Sequence, residues 1–215
     1  MSGSAASPAF DVVSSEHIFS GYAFEVRADQ VRMPEGTIAK RDVVDHIGAV
    51  AVLAIDSADQ VTMVWQYRHP VGQELLELPA GLLDVAGEPA LDSAKRELYE
   101  EASLTATDWQ VLIDLHTSPG MTSEAIRVYL ARGLSEVPEQ QRYAAEHEEL
   151  SMTVQRHPLS RLVAMALAGE LTNGPAVAAV LAAQAARAAG WAGLRSVDAP
   201  WPARPDRVPD ATPQR

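Results

Sequence analysis

LPAGLLDVAGEPALDSAKRELYEEASL, residues 78–104, is the stretch on which the reading of this chain turns. Its second half should be a helix. Pro89 suits a first turn, and Leu91, Ala94 and Leu98 recur at helical spacing, which predicts a helix from about Pro89 to Ala102. On that helix Glu97, Glu100 and Glu101 share one face, with Arg96 at its edge. Like charges at that spacing repel by roughly 0.2–0.5 kcal/mol per pair on an exposed helix. Either water screens the repulsion or the face holds cations. An isolated run of this kind is usually just a solvated acidic surface, so the flanking residues must decide.

Outward from the stretch, the chain divides by pattern. Residues 1–15 are small and polar and are expected to be disordered. From 16 to 67 the pattern is mostly strand, broken by turn chemistry at Pro34–Gly36 and Asp56–Gln60. LLEL, 75–78, reads as a short strand stopped by Pro79. After the helix come strands near 109–115, 125–132 and 150–155, then helices from Pro158 to Gly169 and from Pro175 to Ala189. The last twenty residues hold five prolines and no periodicity, so 191–215 is expected to be a disordered tail; Trp191 and Trp201 are the residues that could instead dock it. Strands, a helix, more strands and closing helices make a mixed α+β domain, with a strand region at 16–46 and a main domain at 47–190.

Composition narrows the chemistry. The formal net charge of −12 argues against a general nucleic-acid binder, which needs a basic footprint. It does not argue against an anionic substrate, because divalent ions invert local charge. With no cysteine, disulfides and thiolate chemistry are excluded. The opening MSGSAASPAF resembles no signal peptide and no apolar run reaches membrane-spanning length, so a cytoplasmic protein is expected. Dinucleotide and P-loop glycine motifs are missing.

The stretch closely resembles the Nudix box. Glu88 is followed by seven residues and then Arg96, Glu97, Leu98, Tyr99, Glu100, Glu101, Ala102, Ser103 and Leu104. Two departures are visible. Six residues separate Gly81 from Glu88 where the family has five, and Ser103 stands where glycine is usual. The resemblance implies an α/β/α sandwich and a hydrolase of nucleoside diphosphates linked to another group. It implies Mg²⁺, or Mn²⁺, at two or three ions per site. Glu97 and Glu101 would be the primary ligands, Glu100 a shared or indirect one, and the Ala80 carbonyl a further one. Gly81, Glu88 and Arg96 would support the box.

Other residues resemble the ADP-ribose pyrophosphatase subgroup, in its actinobacterial form. Pro119 lies fifteen residues after Leu104 in a Ser-Pro-Gly setting, and QYRHPVGQELLELPAG precedes the box. That likeness implies substrate contacts from Arg68 and Glu77. It also implies a general base in the loop EHEELSMTV, where Glu149 is preferred over Glu148 and Glu146. His147 and His157 are expected to be bystanders, since hard metals prefer oxygen. Members of the subgroup are homodimers with exchanged N-terminal strands, which gives 16–46 a role. The expected product is AMP with ribose 5-phosphate. The rivals are another nucleoside diphosphate sugar, such as GDP-mannose, and a sensor that binds ADP-ribose without cleaving it.

Overall fold

A computed structural model describes residues 10–143 and 152–204. The N-terminal part is a three-stranded antiparallel sheet of β1 (Val12–Ser20), β2 (Phe24–Arg32) and β3 (Ile38–His46). β1 begins earlier than composition suggests. Val12, Ser14 and Ser15 pair with Val31, Gln30 and Asp29, so 12–15 are strand rather than disordered. Two adjacent valines with a ready edge to pair against outweigh the polar surroundings. β1 is exposed along its whole length, and Val12, Ile18, Phe19 and Tyr22 each keep about half their surface in solvent.

The second sheet carries the core. β4 (Ala49–Ile55) lies at its centre, parallel to β9 (Ala125–Glu136) and antiparallel to β5 (Gln60–Arg68). β10 (Thr153–Pro158) flanks β5, β8 (Leu104–His116) flanks β9, and the short β6 (Gln73–Glu77) and β7 (Ala80–Leu82) pair with β5 and β4. All seven residues of β4 are buried, as a strand covered on both faces must be. Side chains alternate across a strand, so the two faces take different residues. Ala49, Ala51, Leu53 and Ile55 pack towards α2 (Leu159–Ala168) and α3 (Gly174–Ala188). Val50, Val52 and Ala54 pack towards α1 (Ala90–Ala102), against Ala94, Leu98 and Ala102. Helices on both faces of a mixed sheet form the α+β sandwich expected.

α1 ends as the box pattern implies. Ser103 adopts the left-handed conformation, φ 51° and ψ 41°, and its N–H reaches the carbonyls of Leu98 and Tyr99. A glycine would hold this shape without a Cβ clash.

The tail departs from expectation. As far as Arg204 it is docked on the domain. Val197 and Trp201 pack against the α1-side core, while Trp191 and Leu194 pack on the other face. Val111 N–H donates to the Arg195 carbonyl at 2.9 Å. Arg127 donates to the carbonyls of Ala199 and Pro200, at 2.9 and 3.0 Å, and lies 4.9 Å from the Trp201 ring centre. Proline content suggested disorder, but a proline-rich segment supplies accepting carbonyls and needs few partners for N–H groups. Two tryptophans then provide the apolar area that docks it.

Replacing Ser103 with glycine should stabilise the protein by about 1 kcal/mol, the left-handed penalty removed. Urea unfolding should show a higher midpoint at unchanged slope, and an unchanged or lower midpoint would contradict this account of the helix end.

Candidate active site

α1 and β7 build the centre of the site together. β7 runs antiparallel to β4, with Gly81 opposite Val50, and Gly81 turns its missing side chain towards α1. A Cβ there would lie 2.1 Å from both Cδ and Oε1 of Glu97. One turn later, the Glu101 carboxylate accepts a hydrogen bond from Ala80 N–H at 2.9 Å. Glu97 and Glu101 therefore both reach across to β7, and only glycine lets the first approach that closely.

Arg96 ties the loop before the helix to this face. Its guanidinium donates to both Glu88 oxygens, at 3.3 and 3.1 Å, to Glu97 Oε1 at 2.6 Å and to Glu100 Oε2 at 3.4 Å. Burial alone would lower its pKa, but Glu88, Glu97 and Glu100 outweigh that and raise it. The Glu97 carboxyl is pushed up to about 7, by burial first, with Glu100 and Asp84 adding to it and Arg96 opposing. The extra loop residue is absorbed in a turn. Glu88 N–H donates to the Val85 carbonyl at 3.1 Å, and Gly87 sits at φ 78° with open space around it.

Three carboxylates therefore surround one guanidinium, and the Glu101 carboxylate lies on the same helix against β7. The donors are all oxygen, which suits hard divalent ions such as Mg²⁺. Burial and crowding leave Glu97 with a charge deficit nearby that a cation would fill. Among the described residues no three acidic or histidine side chains already converge as a ready cage, and Arg96 holds the Glu97 oxygen that faces it. The residues fit a divalent cation by donor chemistry, with Arg96 as the standing counter-ion.

Beside this centre opens a cleft of about 660 Å³, a size suited to a nucleotide-like molecule. Arg68 and Glu77 both line it and grip each other, with Nε to Oε1 at 3.0 Å and Nη2 to Oε2 at 2.8 Å. Glu77 is buried while Arg68 remains about two-fifths exposed, so the pair presents the guanidinium to the cleft. Ala80 and Gly81 lie on the same wall. Glu146, Glu148 and Glu149 fall outside the described residues, as does His147. His157 is turned to Gln155, at 3.0 Å.

Sequence reasoning missed His46 and Glu124. Both line the cleft, opposite each other at 3.7 Å. Gly48 N–H donates to His46 Nδ1 at 3.0 Å, which leaves Nε2 as the protonated nitrogen of a neutral ring. Burial lowers the pKa of His46, against the pull of Glu124 and Asp45. The only signal for Glu124 was its place five residues after Pro119 in a segment already singled out; His46 gave none.

The NUDIX domain model matches residues 45–179. This chain belongs to the Nudix family. Among curated relatives, an ADP-ribose pyrophosphatase of Mycobacterium tuberculosis is 50% identical over 91% of this chain and 93% of its own. An ADP-ribose pyrophosphatase of Bacillus subtilis is 40% identical over 63% of this chain and 72% of its own. A solved structure described as an ADP compounds hydrolase superposes with a TM-score of 0.72, covering 87% of this chain and 99% of that one, at 20% identity. At that identity the superposition speaks for the Nudix fold alone.

Gly81→Ala tests the contact between the Nudix helix and β7. The added methyl must displace Glu97, so urea unfolding should show a loss of about 1–3 kcal/mol. The rise in melting temperature on adding MgCl₂ should shrink with it. Full retention of both would mean that Glu97 does not need this approach.

Proposed function

We propose that this Nudix hydrolase cleaves the pyrophosphate of ADP-ribose to give AMP and ribose 5-phosphate. The reading rests on one observation above the others: an intact set of box carboxylates is held against β7, and β7 itself, through Ala80 and Gly81, lines a nucleotide-sized cleft together with Arg68 and Glu77. The extent of likeness to the mycobacterial ADP-ribose pyrophosphatase supports the choice of substrate.

Glu97, Glu101 and the Ala80 carbonyl are the proposed metal ligands, with Glu100 sharing or assisting; Mg²⁺ is the expected ion and Mn²⁺ the alternative, at two or three per site. When bound, such ions would neutralise the diphosphate oxygens and polarise the P–O bonds. The chain's own part is positioning and proton transfer. Arg96, anchored by Glu88, holds Glu97 and Glu100 in place while the site is being filled. Gly81 keeps β7 close enough for Glu97 to reach across. Arg68 offers its exposed guanidinium to the substrate, fixed in direction by Glu77. Glu149 takes a proton from the attacking water as its oxygen bonds to phosphorus, and the bridging P–O bond breaks to release the second phosphate; Glu148 is the alternative base.

A second substrate has some support. A GDP-mannose pyrophosphatase of Salmonella arizonae is 30% identical over 64% of this chain and 74% of its own. The same carboxylate centre would serve either sugar nucleotide. A non-cleaving sensor fits less well, because Glu97, Glu100 and Glu101 are all retained.

The deciding experiment measures AMP release from ADP-ribose, with GDP-mannose, UDP-glucose, Ap4A and NADH as comparisons, with and without Mg²⁺. Wild type should turn over ADP-ribose fastest and only with metal. Glu97→Gln and Glu149→Gln should each lose roughly 10²–10⁴-fold in kcat. Preference for another substrate would change the assignment while keeping the centre; no turnover with binding retained would leave a sensor.

We further propose a homodimer built on β1–β3. A sheet whose outer strand exposes Val12, Ile18 and Phe19 has apolar surface that a second copy could cover. Light scattering should give twice the monomer mass for wild type and a shift to monomer for the double change Ile18→Asp and Phe19→Asp. A monomeric wild type would rule the dimer out.

A further inference from the structure

Arg127 is the most completely enclosed cation among the described residues, 3% exposed near the start of β9. Asp114, its cross-strand neighbour on β8, takes two of its hydrogen bonds, at 2.7 and 3.0 Å. Two further donors go to the Ala199 and Pro200 carbonyls, and the Trp201 ring closes over the guanidinium. Arg195 adds a 2.6 Å bond to the same Asp114 carboxylate. Half of this clamp thus comes from residues 195–201, beyond the segment that matches the Nudix domain.

Its place in the sheet gives the clamp a consequence. From Asp114 and Arg127 the β8–β9 ladder continues through Leu115 and Ile126 to His116 and Ala125, and there it ends. The connecting loop is Thr117–Glu124, and both of its end residues line the cleft. The tip of the loop is already stitched to β3, where Val44 N–H donates to the Met121 carbonyl at 2.8 Å and Ser123 N–H to the Val44 carbonyl at 3.0 Å. The clamp lies at its base. An Arg–Asp pair left open to water would contribute little and would not fix a geometry. Covered by Trp201 and bonded to two carbonyls, the same pair becomes directional.

We infer that residues 195–201 form a strap that positions the substrate-cleft wall, acting through Arg127 and Asp114 on the Thr117–Glu124 loop. Arg127 is a positioning residue here, and the strap acts from the α1 side of the sheet, behind the cleft. The inference rests on the hydrolase reading above for the cleft's role as the substrate site. A wall that touches the substrate equally before and during reaction affects KM and leaves kcat alone.

The test uses two full-length variants, Trp201→Ala and Arg127→Lys, the second keeping the charge while losing the forked bonds. Steady-state kinetics on ADP-ribose should show KM raised about fivefold with kcat within about twofold. Hydrogen exchange on the free protein should be faster in 114–127 as well as in the strap. Faster exchange confined to 193–204, with KM unchanged, would overturn the inference and leave the strap a passive cover. A fall in kcat with KM unchanged would also overturn it. If wild type fails to hydrolyse ADP-ribose, the functional reading falls, and exchange in 114–127 still decides whether the strap holds the loop.

Discussion

Everything at this site depends on how closely α1 approaches β7. Two carboxylates one helical turn apart, Glu97 and Glu101, must both reach a three-residue strand, and one of them passes through space that any side chain at position 81 would occupy. The constraint explains several sequence choices at once. A Cβ at Gly81 would displace the Glu97 side chain. Ala94, Leu98 and Ala102, on the buried side of the helix, set its distance from Val50 and Val52 on β4. The loop must also return to the helix start without pulling β7 away, which the turn at Gly87 and the Arg96–Glu88 fork accomplish.

The sheet then divides labour between its faces. Gly81, Val50 and Arg127 stand side by side in register on β7, β4 and β9 and look towards α1. Their neighbours Ala80, Ala49 and Ile126 look the other way, into the cleft and the α2–α3 core. The box carboxylates gather on the α1 face and the cleft opens on the other, and β7 with the start of β4 lies between them, touching Glu97 and Glu101 on one side and lining the cleft on the other. That geometry would place the proposed chemistry at β7 and the start of β4 and leaves the interior free for apolar packing.

The sequence made α1 legible because its pattern answers to local rules: a proline start, a 3.6-residue apolar stripe and a left-handed end at Ser103. β4 was legible as a strand because a run of small apolar residues has few alternatives, although its two faces were not. What stayed hidden depends on distant partners. His46 and Glu124 lie far apart in the chain and meet only when β3 and the β8–β9 loop are stitched together. The tail was misread for the same reason. Five prolines speak for disorder when counted locally, while the Arg127 guanidinium that captures two tail carbonyls lies some seventy residues away. Pairing of Arg68 with Glu77 was likewise invisible, since each had been read as a separate contact.

Electrostatics finally explains why so acidic a centre can suit an anionic substrate. At about 4 Å and an effective dielectric near 20, two unit charges interact by roughly 4 kcal/mol, so a diphosphate beside four carboxylates that share a single guanidinium would be strongly repelled. Arg96 cannot relieve that repulsion, because Glu88, Glu97 and Glu100 already divide its donors. Arg68 already donates two hydrogen bonds to Glu77. The protein therefore supplies too little positive charge for its own proposed substrate, and Glu97, raised chiefly by burial, also carries the repulsion of Glu100 and Asp84. Divalent cations would resolve both halves of the problem, since the same ion would relieve the carboxylates and attract the phosphates. On the proposed reading the acidity of the helix thus becomes a requirement for binding an anion, provided the anion and the metal arrive at one place.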